Sequence, residues 1–375
     1  MTKLFAAGEP RPPFIPGLDL AEGFFTDLVR PMLEAHLPDM RYSAAGLAGG
    51  SDVLGFDTEM SMDHDWGPRV MLFLERENFA TRTQAIRALA MEHLPLTYRG
   101  YPLRIYAHEV RDIGMRLRQR PNDPGLEPRI EIYTIHDFFQ KQLGVDPDKP
   151  LSAADWLTMT HHRLRSMVDG RVFHDEVGLQ AVRDRFCWYP HDVWLYVLAS
   201  CWLRINEDET LTGRAGSVGD HLGSAVIAWH LIRDMMRLAF LMERSYPPYP
   251  KWLGSAFAQL QCAPTLLPLL ERVGTASDWR ERDGALATAY RQLAEMHNAL
   301  ELTPSVPCEP IRRGERPFTI SQAGTIANAL RREIHDPSVH AIAERWMIGS
   351  IDLFNDNHML DDDPAQRSLL LKLYE

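Results

Sequence analysis

Cysteine is scarce: the 375 residues carry four, Cys187, Cys201, Cys262 and Cys308. They are widely spaced and no two form a C-x-x-C pair, which argues against a disulfide framework and a cysteine-built zinc site. Long apolar runs are missing too. The longest nearly uninterrupted one, Val193 to Leu203, falls far short of the ~20 residues a membrane-spanning helix needs, so no membrane partner is expected. The opening Met1–Pro10 has one lysine and too little apolar sequence before Gly8 and Glu9 for a signal peptide, so the expected location is the cytoplasm. Positive charge is in deficit, with 40 Lys and Arg against 51 Asp and Glu and a formal net charge of −11. The basic surface field that binds nucleic-acid phosphates is therefore lacking, and nucleic acid is not an expected partner. No internal repeat and no low-complexity stretch stands out.

What is present is an ordinary globular composition, 45% hydrophobic and 24% charged. The length suits about two domains of ~150 residues. The texture changes along the chain. From Leu18 to about Val145 helix and strand patterns mix: an amphipathic opening (Leu20, Phe24, Phe25, Leu28, Val29, Met32, Leu33), a strand at Val70–Leu74, a helix near Thr81–Glu92, and strands at Leu103–Val110 and Arg129–Ile135. After Asp146-Pro147-Asp148-Lys149-Pro150 the pattern is almost wholly helical, opening on Ser152-x-x-Asp155 as a capping arrangement. Helices are expected over Asp192–Trp202, Val218–Glu243, Lys251–Leu260, Trp279–Leu300 and Ile320–Ile334. In the longest, Leu222, Val226, Trp229, Ile232, Met236 and Ala239 recur at helical spacing, which predicts one buried face. Trp188, Trp194, Trp202 and Trp229 are expected in the core. The expected fold is α+β: a small mixed sheet with helices over residues 1–148, then an α-helical bundle over 149–375.

The stretch richest in chemistry is Gly49-Gly50-Ser51, a spacer, then Asp63-His64-Asp65-Trp66. Glycines at 49 and 50 let a polyphosphate approach backbone N–H groups, and the Ser51 hydroxyl adds a donor. Asp63 and Asp65, two apart on an expected strand, would point to one face and converge on hard cations. Asp57 and Glu59 in the spacer are expected to be solvated loop residues. A His-Asp phosphohydrolase reading of His64-Asp65 lacks the upstream histidine it needs, and the adjacent His161 and His162 diverge on a helix. Arg233 and Arg237 flank Asp234 at ion-pairing distance on the long helix, and Arg111, Arg116, Arg118 and Arg120 form either a phosphate-facing ribbon or a charged hairpin edge.

These residues resemble the nucleotidyltransferase superfamily of DNA polymerase beta, whose signature is Gly-Gly/Ser, a spacer of this length and Asp-x-Asp/Glu. That resemblance covers about residues 18 to 145. Over nearly the whole chain, Asp63–Arg69 and Tyr249-Pro250-Lys251-Trp252-Leu253-Gly254 resemble an uncharacterised bacterial two-domain family, similar in architecture to the aminoglycoside nucleotidyltransferases. The resemblance implies Mg²⁺ and an NTP, with ATP the first candidate, as co-substrate, and transfer of NMP to a hydroxyl of a small molecule with release of pyrophosphate. It calls for a third carboxylate between hydrophobic residues, best met by Glu131 in Ile130-Glu131-Ile132, with Glu109 and Asp112 as competitors. Asp63, Asp65 and Glu131 would be the catalytic and metal-holding acids. Gly50, Ser51, Arg69 and Lys251 would hold the nucleotide, and Arg214 is a weaker candidate. Excess acid suits a cationic acceptor. Transfer to a tRNA end or a protein hydroxyl, or nucleotide binding without turnover, are the other outcomes the pattern allows.

Overall fold

A proline placed inside an amphipathic helix sets the first feature of the computed structural model, which describes residues 12–63, 66–77, 79–106, 126–312, 314–355, 357 and 364–375, with the side chains of 63, 104–106, 126 and 365 outside that description. Pro31 has no N–H to donate, and the helix that starts as α1 (Gly17–Phe24) widens into a π turn at Phe25–Val29 before continuing as α2 (Arg30–His36). The chain then forms β1 (Tyr42–Gly46), β2 (Val70–Leu74), α3 (Phe79–His93), β3 (Thr97–Tyr98), β4 (Tyr101–Pro102), β5 (Arg104–Tyr106), β6 (Leu126–Pro128), β7 (Ile130–Tyr133) and α4 (Ile135–Leu143). Thr134 caps α4 by accepting from the Asp137 N–H, and Gly144 ends it at φ 67°. Next come α5 (Ala153–Thr158), α6 (His161–Val168), β8 (Arg171–Asp175) and α7 (Leu179–Asp184). Ser152 and Asp155 form the expected capping box on α5.

The chain divides into two compact units: residues 1–150 with 163–187, and residues 151–162 with 188–375. The first is α+β around a mixed sheet in the order β7-β2-β1-β8. β2 runs parallel to β7 and antiparallel to β1, and β1 is antiparallel to β8. β8 departs from the helical pattern expected after Pro150. Its residues are half-exposed on an edge strand, so Arg-Val-Phe-His-Asp shows little apolar contrast to read. Val70, Leu72 and Leu74 share a core with Leu20, Phe24, Ile86 and Ala90 from α1 and α3, and Ile130 and Ile132 pack against it. The opposite face of the sheet carries Phe73 and Tyr133, packed on Phe138 of α4.

The second unit is largely helical. After α5 it is built from α8 (His191–Asp208), α9 (Leu211–Ser217), α10 (His221–Met242), α11 (Leu253–Phe257), α12 (Ala263–Thr275), α13 (Trp279–Ala299), α14 (Ala323–Arg332) and α15 (Pro337–Arg345). Two short strands, β9 (Ile311–Arg312) and β10 (Thr319–Ile320), pair between α13 and α14. α8 packs on α10 and α14, and α12 on α13. Trp194 and Trp202 are buried as expected. Three of these helices, α9, α12 and α15, lie outside the stretches expected to be helical. α12 carries Pro268 in its interior, and α9 contains Gly213 and Gly216, all poor helix signals. In α9 packing explains the glycines: a Cβ at 213 would sit 2.5 Å from Phe318, and one at 216 would sit 2.3 Å from Trp279. Trp229, Leu222 and Val226 correct the expectation of one buried face on α10, because all three are exposed. No helix among the described residues is long and apolar enough to cross a membrane.

Candidate functional site

Topology brings three segments to one end of the four-stranded sheet. β1 ends at Gly46, while β2 starts at Val70 and β7 at Ile130; in register, Ala45 faces Met71 and Met71 faces Glu131. The glycine loop after β1, the segment before β2 and the first turn of β7 are therefore neighbours. Because directly paired residues share a face, Ala45, Met71 and Glu131 lie on the face away from the α1 and α3 core.

The loop itself is an unusual piece of backbone. Ala48, Gly49 and Gly50 take φ values of 61°, 88° and 93° in succession, a path open to glycine and costly for other residues. Gly49 has open space where a Cβ would project, whereas a Cβ on Gly50 would lie 2.4 Å from Asp52 Oδ1 and 3.2 Å from Arg69 Nη2. The loop is closed by Leu54 N–H donating to Gly50 O and Phe56 N–H donating to Ser51 O. Among the described residues, the N–H groups of Gly49, Gly50 and Ser51 donate to no protein acceptor. They are available to an anion.

Arg69, expected to reach a phosphate, is held within the protein. It is 8% exposed, and its Nη2 donates to Gly49 O at 3.0 Å and to Asp52 at 3.0 Å. Asp52, 5% exposed, is the residue sequence reasoning missed here. Its place directly after Gly-Gly-Ser was the available signal. Arg129, also missed, donates to Trp66 O at 2.9 Å, while its own carbonyl accepts from Val70 N–H, tying the segment before β2 to β7.

Asp63 does not begin a strand. It closes a 3₁₀ turn over Glu59–Asp63, and β2 starts only at Val70, after Gly67 at φ 129° and Pro68. A proline cannot donate to the ladder and that glycine turns the chain, so the extension stops short. Asp63 and residues 66–69 thus lie outside any strand, and the alternation expected of them does not apply. Asp65, His64 and the Asp63 side chain lie outside the described residues, as do Glu109, Asp112 and the Arg111–Arg120 segment. Asp57 is corrected as well. Rather than being a solvated loop residue, it accepts from the Gly17 N–H at 2.7 Å and the Trp66 indole N–H at 2.9 Å, pinning the spacer to the start of α1. A Cβ at Gly17 would lie within 2.6 Å of Asp52 and 2.7 Å of Trp66 Nε1, which explains the glycine there.

Glu131 is half-buried on β7. Its Oε2 accepts from Tyr133 Oη at 2.6 Å, and Lys141 Nζ donates to the same Oη at 2.9 Å. Burial first, and then the Glu131 charge, push the Tyr133 phenol well above its ordinary value, so it stays a donor. Lys141 and Tyr133 thus orient one oxygen of Glu131, and the other accepts no hydrogen bond among the described residues. The spacing Glu-x-Tyr on a strand, with both side chains on one face, was the readable signal.

Lys251 belongs to the helical unit. It sits in a 3₁₀ turn at Pro250–Trp252, exposed, with Nζ 4.4 Å from the Trp252 ring centroid. Elsewhere in that unit Asp234, 1% exposed, lies 3.6 Å from Arg204 Nε, 3.8 Å from His230 Nε2 and 4.0 Å from Arg237 Nη1. Burial pushes its carboxyl above the usual range against the pull of these cations. The expected ion pairing of Arg237 with Asp234 is present. Two groups of described residues have metal-ligand spacing: Asp208, His230 and Asp234, and His136, Asp146 and Asp148. Neither suits a cation well. Arg204 Nη2 lies 3.2 Å from His230 Nε2, and Lys149 lies 3.2 Å from Asp146.

A family model described as a domain of unknown function (DUF4037) matches residues 156–253. That stretch holds Arg214, Asp234 and Lys251 and none of Gly50, Ser51, Asp63, Asp65 or Glu131. No curated protein and no solved structure matches the chain.

Proposed function

We propose that this chain is a Mg²⁺-dependent nucleotidyltransferase that moves an NMP from an NTP, ATP being the first to test, to a hydroxyl of a small molecule with release of pyrophosphate. The observation that carries the reading is the meeting of the glycine loop, residues 66–69 leading into β2, and the start of β7 with Glu131 at one end of the sheet. The donor set is all oxygen, which fits a hard cation such as Mg²⁺. Asp63, Asp65 and Glu131 would hold it, and the bound ion would supply charge neutralisation at the triphosphate.

The chain's own residues have separable tasks. Gly49 and Gly50, whose N–H groups have no acceptor among the described residues, present them to phosphate oxygens, and Ser51 adds its hydroxyl. Arg69 and Asp52 fix the shape of that loop from behind. Glu131, oriented by Tyr133, is placed to accept the proton of the acceptor hydroxyl. Little covalent chemistry is asked of the protein, so positioning and electrostatics carry the rate.

The test is incubation of the full chain with α-labelled NTPs, Mg²⁺ and a cell extract, followed by separation into small-molecule, RNA and protein fractions. Label in the small-molecule fraction, lost in Asp63→Ala, is expected. Label confined to RNA or protein would reassign the acceptor, and transfer unchanged in Asp63→Ala would overturn the site.

A further inference from the structure

Trp66, the residue after the Asp63-His64-Asp65 stretch, is 2% exposed and held from several sides. Its indole N–H donates to Asp57 Oδ2 at 2.9 Å, and its carbonyl accepts from Arg129 Nη1 at 2.9 Å. Its ring packs on Phe14, stacked with centroids 5.8 Å apart, and on Tyr101, edge-on at 5.2 Å. The same Asp57 oxygen accepts from the Gly17 N–H at 2.7 Å, and Tyr101 Oη donates to Pro13 O at 2.6 Å, so the chain ahead of α1 is bound into the arrangement.

Asp57 and Trp66 bracket the segment that carries Asp63 and Asp65, and one hydrogen bond holds those two brackets together. Beyond Asp57 the path is set by the Ser61 N–H donating to Thr58 O at 2.9 Å, by the Thr58 N–H donating to Ser61 Oγ at 3.0 Å, and by Met62, which is buried in the core beside Trp66. Packing alone does not call for the polar pair. A phenylalanine at 66 would keep the ring contacts, and replacing both partners of a buried hydrogen bond by apolar groups is often nearly neutral. What the pair adds is direction, because a short N–H to carboxylate bond is made in a narrow range of geometries.

We infer that the Asp57–Trp66 hydrogen bond is a positioning clasp, fixing both ends of residues 58–65 and through them the placement of Asp63 and Asp65 as metal ligands. This rests on the reading that those aspartates hold Mg²⁺. In this role Asp57 is an acceptor of two N–H groups and not a ligand, so its oxygen is needed and its charge is not.

Mn²⁺ suits the same oxygen ligands as Mg²⁺ and is counted by electron paramagnetic resonance, so it is the probe. The full chain is titrated with Mn²⁺ in the presence of a non-hydrolysable ATP analogue, at a temperature where every variant keeps the wild-type circular dichroism spectrum. Wild type should bind the ion, and Asp57→Ala and Trp66→Phe should each raise its dissociation constant at least ~10-fold. The double variant should be little weaker than either single one, because both remove the same bond. Asp57→Asn, whose amide oxygen can accept both N–H groups, should stay within ~3-fold of wild type. Binding that Asp57→Ala and Trp66→Phe leave unchanged overturns the clasp and leaves the metal site standing. A loss in Asp57→Asn equal to that in Asp57→Ala also overturns it, since the carboxylate would then act as a ligand. Wild type that binds no Mn²⁺ overturns the reading on which the clasp rests, and the clasp with it.

Discussion

Gly49 and Gly50 are adjacent, have nearly the same φ and look interchangeable in the sequence, yet alanine should be tolerated far better at one than the other. At Gly49 the added methyl meets nothing within 4 Å, so the cost is backbone strain at φ 88°, about 1 to 2 kcal/mol. At Gly50 the same strain applies, and the methyl also lands 2.4 Å from Asp52 Oδ1. Asp52 must then move, and it is the buried partner of Arg69 at 3.0 Å. Losing one partner of such a pair costs ~3 to 5 kcal/mol when complete, so partial displacement adds about 2 to 3 kcal/mol. With a urea dependence of ~2 to 3 kcal/mol per M, Gly49→Ala should lower the unfolding midpoint of the first unit by about 0.5 M, and Gly50→Ala by more than 1 M. Urea unfolding monitored by limited proteolysis of that unit reads both. Equal shifts, or a larger one at Gly49, would refute the claim that Asp52 and Arg69 buttress the loop.

Three further outcomes follow from the same reasoning. Asp175 accepts from Ser43 Oγ and from the N–H groups of Gly178, Leu179 and Gln180, and its carboxyl is held below the usual range by these bonds despite burial; Asp175→Ala should cost about 2 kcal/mol and loosen amide protection in α7, measured by hydrogen exchange. His297 is 1% exposed, and burial lowers its imidazole to about 4. The unfolded chain takes up that proton near pH 6.5 and the folded one only near pH 4, so stability is full above about 6.5 and declines by roughly 3 kcal/mol as pH falls through that window. Urea midpoints of wild type and His297→Gln across pH 7 to 4 should show the slope reduced in the variant. Tyr133→Phe removes the donor that orients Glu131 without removing the ring. It should lower transfer by ~10-fold or more with NTP affinity little changed, read as kcat against KM.

Much of this fold was readable because local signals agreed with the global packing. The Ser152–Asp155 capping box, the buried run Val70–Leu74 and the long helices with Asp220 or Asp278 at their starts each say one thing at short range. The failures have a common origin in contacts between residues far apart in sequence. β8 exists because β1 offers it a partner 130 residues earlier, and α9 keeps two glycines because Phe318 and Trp279 occupy the space beside them. The exposed stripe of α10 has helical periodicity, which reports that a helix has an apolar face but not what that face meets. Around the candidate site, the glycine loop is marked in the sequence by Gly49-Gly50 and the strand bearing Glu131 by its alternation. The contacts of Arg69 were not readable, because Gly49 O and Asp52 become its neighbours only when β1 and β2 pair.

The central claim is that this end of the sheet binds a magnesium nucleotide, and calorimetric titration with a non-hydrolysable ATP analogue tests it most directly. With Mg²⁺, wild type should bind with a dissociation constant on the order of 100 µM or tighter. Affinity should drop at least ~10-fold without the metal and in Asp63→Asn or Asp65→Asn, while Asp39→Asn, exposed ahead of β1 at the opposite end of that strand from the glycine loop, serves as the control. Absence of binding to any of the four NTPs, or binding indifferent to Mg²⁺ and to both aspartates, would contradict the account.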